Sequence, residues 1–317
     1  MPAVSIDPMS ANPMKFSVIV PTYCDAEQLE LCLKALEHQT LASQNYEVVV
    51  VNNNVNDNLE PLIERFSKAI LVVEPQPGSY SARNAGLDIA SGEIIAFTDA
   101  DCIPEPDWLE KGGDRLVATP NCGLVAGNIR LFYRDPNAPN PCELYEQLFA
   151  FPQKRFLEQD HYGATANVFT YRQVIDDVGG FDSELKSGGD LHWGQKVYAA
   201  GYAMVYAPEV CINHPARSSI QELHKKLRRV VKGHFSLIHE TSALPNDGVY
   251  TPWRFYGGLV GDLFFPFRSV PMIVTDARLE SFSQRLIVIG MSIFIRYLKA
   301  FERIVQTLAQ TRASLSG

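Results

Sequence analysis

In the first hundred residues short apolar runs, each halting at a polar or glycine-bearing loop, alternate with helical stretches. Phe16-Ser-Val-Ile-Val20 is closed by Pro21, and Tyr46-Glu-Val-Val-Val-Val51 runs into Asn52-Asn53-Asn54. The run 70–73 stops at Glu74-Pro75, and the run 94–98 stops at Asp99. Runs of this length, rich in β-branched residues and lacking polar alternation, read as strands buried on both faces. Between them Leu29, Leu33 and Leu36 share one face of a helix over 26–38. Further helices are expected over 58–68 and 80–91, the latter stopped by Gly92. Strands alternating with helices predict an α/β fold: a mostly parallel sheet flanked by helices. Ligands of such sheets sit at the carboxyl ends of the strands. That puts Thr22, Asn53, Gly78 and Asp99 along one edge. A dinucleotide-binding dehydrogenase would need G-x-G-x-x-G after the first strand, where this chain has Pro21-Thr22-Tyr23.

Thr98-Asp99-Ala100-Asp101-Cys102 follows directly on the last of these strands. Two carboxylates one residue apart at a strand end share a small volume if the chain turns there. Their repulsion calls for a cation. A hard divalent ion, Mn²⁺ or Mg²⁺, would meet that need and also bind a diphosphate. The competing reading is a pair of solvated turn aspartates.

Beyond residue 105 the pattern loosens. Pro136, Pro139 and Pro141 mark a loop, residues 163–172 and 178–185 read as turns and short strands, and 191–200 as a helix ended by Gly201. A late strand is expected over 202–206, a basic helix over 219–240, and an apolar, aromatic tail from 253 that is helical to about 310. His214 follows the late run, as an imidazole suited to a metal or as a turn histidine.

Composition narrows the functions. Of 317 residues, 46% are hydrophobic and the net charge is −8. That supports a sizeable core and argues against a global nucleic-acid binder, which is usually basic. The six cysteines have no C-x-x-C spacing, so neither a zinc site nor a disulfide framework is expected, and a reducing compartment fits. Residues 1–15 read as a flexible arm without the pattern of a signal peptide. The longest apolar run, 286–295, is too short to span a bilayer.

The stretch Pro75-Gln-Pro-Gly-Ser-Tyr-Ser-Ala-Arg-Asn-Ala-Gly-Leu87, with Ala-Ser-Gly-Glu-Ile-Ile-Ala-Phe-Thr-Asp-Ala-Asp-Cys-Ile-Pro-Glu-Pro-Asp-Trp-Leu109, resembles the family-two glycosyltransferases of GT-A fold. Val18-Ile-Val-Pro-Thr-Tyr23 and Gly179-Gly-Phe-Asp182 resemble further elements of that family. The resemblance covers roughly 16–240. It implies a GT-A domain over 16–240, with a donor half (16–130) and a smaller acceptor half (131–240), then a C-terminal helical appendage over 241–317. It implies that Pro21, Thr22 and Tyr23 line the nucleobase and ribose. Asn53 stands where the family usually has an Asp that accepts from uracil. Gly78 and Arg83 would approach the ribose or diphosphate, and Asp99, Ala100 and Asp101 would hold the donor, with Asp101, Asp99 and His214 as metal ligands. The expected donor is a nucleoside-diphosphate sugar, a UDP-sugar favoured.

On the acceptor side, Ser187-Gly-Gly-Asp190 resembles the segment that carries the family's catalytic base. Many relatives have Glu-Asp there, whereas this chain has Gly189-Asp190. Asp190 is the base candidate, with a helix N-cap as the plain structural alternative. Asn167, Gly189 and Trp193 are expected beside the acceptor, a glycan or lipid-linked glycan; a core position is the alternative for Trp193. The resemblance implies inverting transfer to a hydroxyl. A polyprenyl-phosphate sugar synthase and a non-catalytic nucleotide- or glycan-binding domain are the rivals. The basic run 224–232 beside the apolar tail reads as a solvated helix face or as a peripheral membrane contact at the inner surface. A cytoplasmic enzyme is expected.

Overall fold

The computed structural model describes residues 15–239 and 252–316. Nearly all of the expected arm over 1–15 therefore lies outside the described residues. The chain packs as two compact units, one of residues up to 130 with 151–214, the other of 131–150 with 215 onward.

An eight-stranded sheet runs in the order β3-β2-β1-β4-β7-β6-β8-β5. Its strands are β1 (Phe16–Thr22), β2 (Tyr46–Asn52), β3 (Ala69–Val73), β4 (Ile94–Thr98), β5 (Ile103–Pro104), β6 (Cys122–Phe132), β7 (Asn167–Tyr171) and β8 (Ala203–Pro215). The first four are mutually parallel, with Phe16 opposite both Tyr46 and Ile94. β7 lies antiparallel to β4, and β6 antiparallel to β7. The apolar runs of the sequence are thus the parallel part of the sheet, and Val18–Val20 and Val48–Val51 are sealed on both faces.

Helices α1 (Ala26–Glu37), α2 (Glu60–Ile63), α3 (Ser79–Ile89) and α4 (Trp108–Ala118) follow these strands. α1 buries Leu29, Cys32, Leu33 and Leu36, one stripe at helical spacing. Each such leucine contributes about 1.5–3 kcal/mol on removal from water. α3 lies so close to the sheet that a Cβ on Gly86 would stand 2.7 Å from Ile19. The helix expected over 58–68 shrinks to the single turn α2. Beyond it the backbone N–H groups of Arg65, Phe66 and Ala69 each bond three residues back, which tightens the chain and stops the α-helix.

The later region holds α5 (Pro141–Phe149), α6 (Gln153–Asp160), α7 (Arg172–Val178), α8 (Gly189–Ala199), α9 (Ile220–His239), α10 (Pro252–Phe264), α11 (Val270–Thr275) and α12 (Phe282–Ser316). α5 starts at a capping box: Asn140 accepts from the Cys142 and Glu143 N–H groups, and Glu143 accepts from Asn140 N. The second unit gathers around Leu144, Leu148, Ile273, Leu279 and Val288. Among the described residues no single helix is long and apolar enough to cross a membrane.

Candidate active site

The loops at the carboxyl ends of β1, β2 and β4 build one edge of the first unit, and most of the predicted donor residues sit there. Thr22 ends β1, buried, and its carbonyl accepts from Asn53 N at 2.9 Å. Tyr23 projects into solvent. Gly78 holds φ at 143°, a backbone conformation that side chains rarely adopt, and caps α3.

Asn53 is committed to the neighbouring loop. Its amide nitrogen donates to Glu74 O at 2.7 Å and Gln76 O at 2.8 Å, and its oxygen accepts from Gly78 N at 2.7 Å. An aspartate would accept from Gly78 but has no donor for the two carbonyls. The asparagine therefore clamps the segment that leads into α3.

Arg83 extends from α3 to Asp99 at 2.5 Å, with only 4% of its side chain exposed against 34% for Asp99. Its Nε is buried with no hydrogen-bond partner in the protein. The guanidinium also lies 5.9 Å from the centre of the Tyr80 ring. Tyr80 is a residue that sequence reasoning missed, since an aromatic on a helix face looks like core. Burial, then the Asp190 charge, pushes its hydroxyl well above the usual phenol range. Asp99, Arg83, Tyr80 and Asp190 therefore form one line of charged and polar neighbours.

Asp101 pairs with His214: Nε2 lies 3.4 Å from Oδ2. The sheet register brings them together. β5 pairs with β8 with Ile103 opposite Asn213, which sets residue 214 beside Cys102 and Asp101. The ligand atoms of Asp101, Cys102 and His214 lie within 4.8 Å of one another. Burial, then Asp99 and Asp101, holds the Cys102 thiol far above its ordinary range and hence neutral. A carboxylate and an imidazole remain as competent donors, a set that fits Mn²⁺ and, less well, Mg²⁺. Asp99, expected as a third ligand, is turned instead to Arg83. Asp25 is a further residue without a sequence signal. Its carboxyl is held above the usual range by burial, then by Asp101 and Asp57. Crowding of carboxylates at one point is what a cation relieves. The His214 ring is backed by Phe151, centroids 4.8 Å apart, and Phe151 carries φ of 50°. A bulky residue in the left-handed region is strained, and such strain clusters at functional sites.

Asp190 lies in the first turn of α8, whose N-cap is Gly188 in a left-handed conformation (φ 87°). The N-cap position is thus filled by another residue, and the Asp190 carboxylate accepts from Thr165 N at 3.2 Å. The helix N-terminus favours the negative charge. Gly189 has a packing reason: a Cβ there would stand 2.6 Å from the Tyr80 ring.

Two residues expected beside the acceptor are placed in the core instead. Asn167 is fully buried; it accepts from Trp108 Nε1 and donates to the Asn128 and Val210 carbonyls, which ties β7 to β6 and β8. Trp193 is 1% exposed, packs on Phe97 and Phe181, and donates to Gly179 O.

Comparisons with known proteins bear on the family and the fold. Residues 17–179 match the family model described as glycosyl transferase family 2. The chain is 40% identical over 222 residues to glycosyltransferase AglE of Haloferax volcanii, an alignment covering 68% of this chain and 72% of the relative. It is 28% identical over 272 residues to the glucosyl-dolichyl phosphate glucuronosyltransferase of the same organism, covering 81% and 80%. The fold superposes on the mannosyltransferase PcManGT of Pyrobaculum calidifontis, solved with GDP-Man and Mn²⁺. The TM-score is 0.63 at 21% identity, covering 97% of this chain and 90% of that one. The chain belongs to glycosyl transferase family 2 and is a glycosyltransferase of GT-A fold.

Proposed function

We propose that this enzyme moves a sugar from a nucleoside-diphosphate sugar to a hydroxyl of a glycan or lipid-linked glycan, with inversion, and that it requires a divalent metal. The observation that carries the reading is the pairing of Asp101 with His214 beside the Asp99–Arg83 pair at the carboxyl edge of the parallel strands.

Asp101 and His214 would hold the metal, which when bound supplies positive charge against the diphosphate. Arg83 lies on the same edge, positioned to bear on the negative charge that grows on the departing diphosphate. Its position is fixed beforehand by Asp99 and the Tyr80 ring, so little reorganisation remains at the moment of reaction. Asp190, held by Thr165 N, takes the acceptor proton as the new bond forms. A single displacement inverts the anomeric centre. Asn53 leaves the base open, since its amide already serves the loop; GDP and UDP both belong in the test.

A lipid-linked acceptor is supported by the relative whose name places its substrate on dolichyl phosphate. Asp190→Asn separates the acceptor classes. Transfer to a hydroxyl should fall by about a hundredfold or more without a base, nucleotide binding being unchanged. Full activity of that variant would instead indicate an acceptor that is already ionised, such as a polyprenyl phosphate.

A further inference from the structure

α8 begins without a cap of its own. Its N-cap is Gly188, which offers no side-chain acceptor to the first amides of the helix. Such amides have no partner within the helix and need one from elsewhere. Tyr80, on α3, supplies one. Its ring lies against Gly189, where a Cβ would stand 2.6 Å from Cζ, 2.7 Å from Cε2 and 2.8 Å from Cδ2. The ring atom that bears the hydroxyl is thus the nearest of the three. The phenol oxygen accepts from the Asp190 backbone N–H, and the phenol proton is donated to the Asp190 carboxylate.

That carboxylate therefore meets two donors fixed on different parts of the chain. One is the Thr165 N–H, 3.2 Å from Oδ2, in the loop ahead of β7. The other is the Tyr80 hydroxyl. Burial, then the Asp190 charge, keeps the proton on this phenol well above neutral pH, so Tyr80 is a donor and not a second base.

Tyr80 is itself held in place. Its residue is 6% exposed, and Phe181 stacks on the ring with centroids 5.8 Å apart and planes 21° from parallel. Asn84, one helical turn further along α3, clamps the backbone of Phe181. Its amide nitrogen donates to Phe181 O at 2.8 Å, and its oxygen accepts from Phe181 N at 2.9 Å. A ring confined between Phe181 and Gly189 has little room to turn, so its hydroxyl is a fixed point.

We infer that Tyr80 is a positioning residue for the transfer reaction, its hydroxyl aiming the Asp190 carboxylate at the acceptor oxygen. The inference rests on the reading of Asp190 as the base. In the step it serves, the acceptor oxygen bonds to the anomeric carbon. The bond from that carbon to the diphosphate oxygen breaks, and its electron pair leaves on the diphosphate. The acceptor proton passes to Asp190, while Tyr80 neither gains nor loses one. Aim matters because a misplacement of about 1 Å costs about a hundredfold in rate.

The test is release of nucleoside diphosphate from GDP-mannose and from UDP-glucose with Mn²⁺ present, water serving as the acceptor hydroxyl. It compares the parent protein with Tyr80→Phe, Asp190→Asn and the double variant. Tyr80→Phe keeps the ring and its packing, and thermal denaturation checks its fold. Its kcat should fall by about tenfold to a hundredfold, while the donor KM stays within about twofold. In the Asp190→Asn background the same change should have no effect, since no base remains to be aimed. Equal kcat in Tyr80→Phe and the parent would overturn the inference and leave Asp190 as the base. So would an equal fall in both backgrounds, which a purely structural loss of the α8 cap would produce. Undiminished release by Asp190→Asn, or none by the parent with either donor, would remove the base reading and the inference with it.

Discussion

Gly189 lies against the Tyr80 ring: a Cβ at 189 would stand 2.6 to 2.8 Å from three of its atoms. The residue before the candidate base is therefore small because an aromatic occupies the space a side chain would need. The Arg83 guanidinium lies 5.9 Å from the centre of the same ring, whose hydroxyl feels the charge of Asp190. One tyrosine thus neighbours Arg83, Gly189 and Asp190 at once.

Gly189→Ala should cost about 1–3 kcal/mol of stability, because the added Cβ would overlap the Tyr80 ring. Combining it with Tyr80→Ala should cost less than the sum of the two single changes. Urea unfolding of the four proteins measures this; strict additivity would show that the contact is not limiting.

Arg83→Met should leave the fold in place yet weaken nucleotide binding and slow transfer by about a hundredfold, the loss expected for removing one preorganised donor. Asp99 is a third exposed, so water can take over part of its lost partner, and the stability change should be modest. Asp99→Asn added to Arg83→Met should not restore activity. Steady-state kinetics with the donor varied would show whether the defect lies in binding or in the chemical step.

Asn53→Asp should destabilise the protein. The carboxylate would face the carbonyls of Glu74 and Gln76, which now accept from the amide at 2.7 and 2.8 Å. Two lost donors at a half-buried site amount to about 1–3 kcal/mol. Thermal denaturation of Asn53→Asp and Asn53→Ser checks the sign.

His234 should make the protein acid-sensitive. The unfolded imidazole takes up a proton near 6.5, while the folded one, desolvated and facing Lys299 and Arg303, does so only near 3. Its folded pKa is depressed, so the unfolded state binds more protons between those values. Stability is therefore lost as pH falls from about 6.5 toward 3. His234→Gln should flatten that part of the pH–stability curve, as read by urea unfolding at several pH values.

The parallel strands were legible because their apolar runs are unbroken. β6 was not, since Gly123, Gly127 and Asn128 look like strand breakers. Its glycines serve close approach: a Cβ at Gly127 would stand 2.4 Å from both Asn167 Nδ2 and Val210 O. Asp99 and Asp101 could be found from the strand they end. That His214 meets Asp101 depends on the pairing of Ile103 with Asn213, a register no local pattern announces. Asn167 misled because a buried amide that ties three strands together looks, in sequence, like one that faces a ligand.

The most direct test of the metal–diphosphate site is calorimetric titration of the protein and of Asp101→Ala with GDP and UDP, each with and without Mn²⁺. The account predicts that one nucleotide binds tightly only when the ion is present, and that Asp101→Ala loses that metal-dependent gain while staying folded. Binding that is equally strong without the ion, or undiminished in Asp101→Ala, would contradict it.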